Sequence, residues 1–392
     1  MEVLASGDSV PIPASAVDVT EAAQLERVRS VVSAVSELAV DVEADSMHHF
    51  RARLCFVQLG TDHDIFLLDT LVPGVSPGAL QDVFGNPAIT KFFHAAQGDL
   101  QYLAEQGVRV RGLFDTHRAA TLLNWPKVGL VDLVREKLSA TLKKEHQQAD
   151  FSRRPLPPEL REYIADDVRY LCEVGRWVRE ACETAGILEE VQLDCDRMCD
   201  EAQARPDPVA DFQPKLQRQG LSKEQFAVAW HSAHALHKKR MEWAEAEDVP
   251  MGRMLSNMAL SALSTKHPTD LRHMAKLEGV RGAFVRAHGD EVMALLAKVV
   301  TDVQSGALPM PDEKRDRDPK RKKREEALME WRKKTATERK VAPSVVLPNS
   351  LVADLSVNPP ESVEALAKYP YFGTKRAGLY AEAVVGLLTT LR

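Results

Sequence analysis

The sequence predicts a mixed α/β domain over roughly its first 190 residues, followed by two small all-α units. Three observations carry that expectation. Apolar runs with strand-like alternation crowd into the first quarter of the chain, helical patterns interleave with them and then take over, and one helical plan recurs twice after Gln192. At 392 residues the chain exceeds what one ordinary core organises, so two or three domains are expected.

The composition is that of a water-soluble globular protein, 44% hydrophobic and 28% charged. No apolar run approaches the roughly 18 residues that a membrane helix needs. Residues Met1 to Val19 mix Glu, Asp, Ser and Pro and lack the basic start and apolar stretch of a secretory signal, so a cytoplasmic protein without membrane association is expected. The five cysteines (Cys55, Cys172, Cys182, Cys195, Cys199) are an odd number without a disulfide-like framework, which suits reduced thiols. Cys195 and Cys199 stand one helical turn apart, but a zinc site needs two further soft ligands and none are suitably spaced. The net charge of −6 does not exclude a polyanionic partner, because phosphate affinity depends on local patches.

Along the chain, Leu38-Ala-Val-Asp-Val-Glu-Ala44 alternates apolar and acidic residues, and Leu54–Leu59 and Ile65–Asp69 are short apolar runs around the turn-like Gly60–Asp64. Lys91–Ala95 gives another strand, leading into a helix from about Gly98 that stops at Gly107. Leu130–Leu138 and Pro158–Ala185 read as helices, the latter opened by Pro157-Pro158, where proline is tolerated. Leu221–Val300 is helical, with breaks at Asp248–Pro250, His267-Pro268 and Gly279–Gly282. A Pro-rich, charge-dense linker follows, and a second helical unit runs to Arg392. The two units share a plan: Trp243, Val249–Leu255, Leu260–Leu263 and Pro268 in the first; Trp331, Val341–Leu347, Leu351–Leu355 and Pro359 in the second. The recurring tryptophans are expected in the two cores. The expected division is an N-terminal tail 1–20, a catalytic domain 21–200, helical units 210–302 and 323–392, and a linker 303–322. Within the basic run Lys320–Arg324, a phosphate contact and a solvated helix start stand as alternatives, since acidic residues interleave with it. Its likeness to a nuclear localisation signal is unspecific.

Asp41 and Glu43 are two apart on a predicted strand, so both leave the same face while Val40 and Val42 face the core. Two carboxylates so close repel unless a cation lies between them, which points to a divalent site of hard oxygen ligands. Alone, such a pair is also an ordinary half-exposed edge strand. Asp99 opens a helix, where aspartate is favoured anyway. Tyr163 and Asp167 are four apart on one helix face, with Asp166 turned elsewhere. Each has a bland explanation taken singly; the ordered set does not.

That set is an acidic pair on the first strand, an aspartate opening a later helix, and a Tyr-x-x-x-Asp helix preceded by Asp150-Phe-Ser-Arg-Arg-Pro-Leu-Pro-Pro158. It resembles the tyrosine-bearing branch of the DEDD exonucleases, on an RNase H-like fold, and Gln147–Leu171 is similar to the corresponding region of ribonuclease D. The helical units resemble HRDC domains. The resemblance implies that Asp41, Glu43, Asp99 and Asp167 hold two divalent ions, Mg2+ or Mn2+. It implies that Tyr163 orients the attacking water and that nucleoside 5′-monophosphates leave from the 3′-end. Two ions ~4 Å apart can acidify a bound water and neutralise a leaving 3′-oxygen. His48, His49, Gln58, Arg153 and Arg154 are candidate substrate contacts; His94 is expected as a hydrogen-bonded core histidine. The expected partner is RNA with a single-stranded 3′-end, transfer RNA precursors foremost, acted on by a monomer. DNA as substrate and an inactive RNA-binding scaffold are the alternatives, the latter disfavoured by the presence of all five site residues.

Overall fold

The computed structural model describes residues 13, 15–45, 47–142, 149–204, 211–216, 220–311 and 320–391. Linker residues 312–319 and positions 147–148 of the ribonuclease D-like stretch lie outside them. The chain divides into two compact units, one of Met1–Ala44, Leu54–Ala204 and Asp316–Arg392, the other of Asp45–Arg53 and Arg205–Arg315. The two helical repeats therefore fall in different units.

The first unit is built on a six-stranded sheet: β1 (Ala16–Val19), β2 (Glu37–Ala44), β3 (Leu54–Gly60), β4 (Ile65–Asp69), β5 (Thr90–Phe93) and β6 (Leu113–Asp115), in the order β1-β4-β3-β2-β5-β6. The strands β2, β3 and β4 form an antiparallel meander, and β1, β5 and β6 add in parallel at its two sides. Every residue of β3 and β4 is buried, which explains why they read as continuous apolar runs: both faces of the sheet are covered. The sheet also corrects the expected N-terminal tail. Ala16–Val19 pairs with Ile65–Leu68, and a four-residue strand is too short to show periodicity.

Among the described residues, eight α-helices precede the repeats: α1 (Gln24–Val32), α2 (Gln81–Phe84), α3 (Gln97–Glu105), α4 (Thr116–Leu122), α5 (Leu130–Leu138), α6 (Pro158–Arg169), α7 (Leu171–Thr184) and α8 (Leu188–Gln203). Helix α6 buries Leu160, Ile164 and Val168, spaced four apart, against β2, β3 and β4. It lies close because Gly60 has no side chain: a Cβ there would meet the Val168 carbonyl oxygen at 2.9 Å. Gly175 does the same for α7, since a Cβ would lie 2.3 Å from the Phe92 ring.

The second unit contains α9 (Lys223–Ala246), α10 (Met251–Met254), α11 (Asn257–Lys266), α12 (Leu271–Met274) and α13 (Gly282–Gln304). Helix α9 begins with a capping box between Ser222 and Gln225. The second repeat, in the first unit, comprises α14 (Arg321–Arg339), α15 (Pro343–Val346), α16 (Asn349–Val357), α17 (Val363–Ala367) and α18 (Thr374–Thr389). One buried arginine fixes the register between the repeats. Arg240 donates to the Leu255 carbonyl and the Asn257 side chain; Arg332 donates to the Leu347 carbonyl and the Asn349 side chain. Each pair of counterparts is 92 residues apart, which relates 240 to 332, 255 to 347 and 257 to 349.

That register corrects the expectation that the tryptophans match. Trp243 stands where the second repeat has Thr335, and Trp331 where the first has Lys239. Both rings nevertheless pack inward, Trp243 on Phe284 and Trp331 edge-on to Tyr380. The basic run splits: Lys322 pairs with Glu326 at the surface, while Arg324 is buried and donates to the Ser356 carbonyl. The second repeat is bound to α8 by Lys375–Glu190, Arg197–Asp354 and Tyr371–Asp200 contacts.

Candidate active site

The register of the meander sets the chemistry. Asp41 pairs with Gln58 and Glu43 with Phe56, so both carboxylates lie on one face of β2. Helix α6 crosses that strand. Its i,i+4 spacing brings Tyr163 and Asp167 to the same place. Asp41, Glu43 and Asp167 each offer a carboxylate oxygen within 4.8 Å of the others. With His94, Tyr163 and residues 129–131 at the start of α5, they line a cavity of about 400 Å³. Two distant stretches of chain, β2 and α6, thus bring Asp41, Glu43, Tyr163 and Asp167 to one cavity.

Asp99, in the first turn of α3, lies outside that tight trio, yet its charge bears on Glu43. The turn that aims α3 is held by a residue the sequence reading missed. Asp115 accepts hydrogen bonds from the backbone N–H of Ala95 (3.1 Å) and Ala96 (2.8 Å), at the entry to α3, and from that of Arg118 (2.9 Å), capping α4. The signal was available: Asp115-Thr is an N-cap sequence, but the three-residue strand β6 before it gave no pattern.

The electrostatics are those of a site built for cations. Burial raises the Asp41 carboxyl to about 7. Burial, then the charges of Asp41, Asp167 and Asp99, push Glu43 to about 10. Asp99 and Asp167 lie well above the usual carboxylate range for the same reasons, burial first and neighbouring carboxylates next. The charges acting on Glu43 are all of one sign. Hard oxygen donors converging in this way fit a divalent metal such as Mg2+ or Mn2+ far better than a soft one. The Tyr163 phenol is raised by burial and by Asp167, Glu43 and Asp41, so it stays protonated and keeps an O–H available to donate. His94 is pushed down to about 4 by burial and is neutral; its Nδ1 meets the Thr116 hydroxyl at 2.8 Å.

The candidate substrate contacts fare differently. Gln58 is fully buried, with neither amide atom bonded, and is not among the cavity-lining residues. His48 and His49 belong to the other unit, where His49 bonds Asp248 at 2.7 Å. Arg153 is exposed. Arg154 is engaged: its guanidinium bonds both Asp69 oxygens at 2.5 and 2.6 Å. The cysteines are all free and buried.

Comparison with known proteins places the two kinds of domain. The profile of the 3′-5′ exonuclease family matches residues 16–177, and that of the HRDC domain matches 233–296 and 321–388. Ribonuclease D of Gluconacetobacter diazotrophicus is 28% identical across 69% of this chain and 68% of its own length. That of Acidiphilium cryptum is 29% identical across 70% of each. Mouse exosome complex component 10 is 36% identical over 40% of this chain but 18% of its own length. Among solved structures, Escherichia coli RNase D superposes with a TM-score of 0.72 at 24% identity, covering 96% of this chain and 99% of that one. The catalytic core of RRP6 from Trypanosoma brucei gives 0.60 at 25% identity, covering 77% and 84%. With its exonuclease sheet, its acidic site and its pair of HRDC repeats, the chain carries a 3′-5′ exonuclease domain followed by two HRDC domains and is similar to ribonuclease D over about 70% of its length.

Proposed function

We propose that the cavity is the exonuclease active site, and that it trims the 3′-ends of structured RNA precursors, transfer RNA foremost. The observation that carries the assignment is the approach of Asp41, Glu43 and Asp167 to within 4.8 Å beside Tyr163. These three carboxylates with Asp99 hold two divalent ions, Mg2+ or Mn2+. When bound, the ions supply an activated water and neutralise charge on the phosphate and the leaving 3′-oxygen. The protonated Tyr163 phenol donates a hydrogen bond that orients the attacking water. Asp115 keeps Asp99 aimed by fixing the entry to α3. Arg153, exposed in the loop before α6, remains a candidate phosphate contact.

The division we propose is an exonuclease domain beginning at β1, a first HRDC domain, a charged linker around 303–322 and a second HRDC domain. The protein works as a monomer in the cytoplasm; no helix among the described residues is long and apolar enough to cross a membrane. The substrate reading draws support from Escherichia coli RNase D, described as an exoribonuclease involved in structured RNA processing. The test uses one single-stranded RNA and its DNA counterpart, both labelled at the 5′-end, with and without Mg2+. Metal-dependent shortening of the RNA alone from its 3′-end supports the proposal. Equal loss of the DNA points to the DNA reading, and binding without shortening to an inactive scaffold.

A further inference from the structure

We propose that Arg154 and Asp69 are positioning residues for Tyr163: together they clamp the loop that backs the catalytic phenol, so Arg154 acts through the protein rather than on phosphate. The proposal rests on the reading of Tyr163 given above.

Four contacts make the chain. Asp69 closes β4 and is buried, and Arg154 meets it as a planar fork, Nε to Oδ2 at 2.5 Å and Nη2 to Oδ1 at 2.6 Å. The same guanidinium donates to the carbonyls of Phe151 (2.7 Å), Arg153 (2.8 Å) and Cys55 (3.2 Å), tying its own loop to β3. It also lies 4.3 Å from the centre of the Phe56 ring, and Phe56 is the partner of Glu43 across β2 and β3. Finally, Phe151 is buried, with its ring 6.2 Å from that of Tyr163 at an interplanar angle of 22°. The loop therefore passes the rigidity of the sheet to the tyrosine, which is only partly buried on α6.

The alternative is that Arg154 reaches substrate. The geometry disfavours it. Five donor–acceptor contacts engage its Nε, Nη1 and Nη2; the residue is exposed as a whole, but its guanidinium is already committed within the protein. A guanidinium presents five N–H groups in a fixed fork, so little remains for a phosphate.

The test compares Arg154→Lys, Arg154→Gln, Asp69→Asn, Tyr163→Phe and the double variant Arg154→Lys/Tyr163→Phe. Circular dichroism and melting select the variants that fold; Asp69→Asn is isosteric and Arg154→Lys keeps the charge. A misplaced catalytic group costs up to about 100-fold in rate, so kcat on a single-stranded RNA should fall roughly 10- to 100-fold in the Arg154 variants and in Asp69→Asn. KM and the salt dependence of RNA binding should stay within about twofold, because no phosphate contact is lost. In the Tyr163→Phe background Arg154→Lys should cost nothing further. A readout independent of turnover is 3-fluorotyrosine placed at 163, whose 19F resonance should move or broaden in both Arg154→Lys and Asp69→Asn.

Two kinetic results overturn the proposal: a raised KM and reduced salt dependence for the Arg154 variants with Asp69→Asn near wild type, or rate losses that multiply in the Tyr163→Phe background. An unmoved 19F resonance also refutes it. If Tyr163→Phe alone keeps full kcat, the role assigned to the tyrosine fails, whereas the 19F result still reports on the clamp.

Discussion

Asp41→Asn tests the site more sharply than any loss of activity, because it should stabilise the metal-free protein. Asp41, Glu43 and Asp167 hold oxygens within 4.8 Å of one another. At that separation two full charges repel by about 3 kcal/mol for an effective dielectric near 20. Without metal the folded protein keeps protons on the cluster: burial lifts Asp41 to about 7, and burial first, with the neighbouring carboxylates next, lifts Glu43 to about 10. The sign follows directly. Folded-state values above the unfolded ones mean that these groups cost nothing at low pH. Metal-free stability then falls as pH rises from the unfolded carboxylate range through the raised values. Asparagine removes the Asp41 share. The upward shift of Asp41 sets a ceiling of about 4 kcal/mol, and coupling with its neighbours reduces the gain to about 1–3 kcal/mol at pH 8. For a chain of this size each 1 kcal/mol moves Tm by roughly 2–4 °C. Melting in EDTA should therefore place the variant roughly 3–8 °C above wild type at pH 8, with the gap narrowing as pH falls and closing near the unfolded carboxylate range at about pH 4. Added Mg2+ or Mn2+ should raise the wild-type Tm strongly and the variant little, with exonuclease activity down at least about 100-fold. A variant that melts with wild type in EDTA at pH 8, or keeps its metal-induced rise, refutes the reasoning.

Other expectations follow from single contacts. Gly60→Ala places a Cβ 2.9 Å from the Val168 carbonyl and displaces α6 with Tyr163 and Asp167. Its kcat should fall roughly tenfold while RNA binding in EDTA holds, and unchanged kcat would contradict that coupling. Arg240→Ala and Arg332→Ala each strip the bonds that bind the first helix of a repeat to the loop and helix after it. Urea unfolding should show a loss of about 3 kcal/mol for each, and the two losses should add, the sites lying in separate units. The five cysteines are buried, and burial lifts the thiol of Cys195 well above its ordinary value and that of Cys182 to about 12. A thiol reagent applied to the native protein should leave its mass unchanged, with reaction only after denaturation.

The sequence by itself determined a good deal. Strands β2 to β4 were legible because alternation and apolar runs are local properties, and helices α3, α5 and α6 because glycine and proline stop and start them. The spacing of Asp41 with Glu43, and of Tyr163 with Asp167, named the four residues that the fold gathers at one cavity. Other features were decided only in three dimensions. Strands β1 and β6 hold four and three residues, too few for periodicity, and exist through their pairing with β4 and β5. Asp115 earns its place by bonding backbone groups about twenty residues away, and Arg154 turns to Asp69 instead of outward, because a buried carboxylate requires a partner. The repeats also looked aligned by their tryptophans when a buried arginine sets the register. Local pattern reveals which segments form elements; which charge meets which is settled by the packing that brings distant segments together and removes them from water.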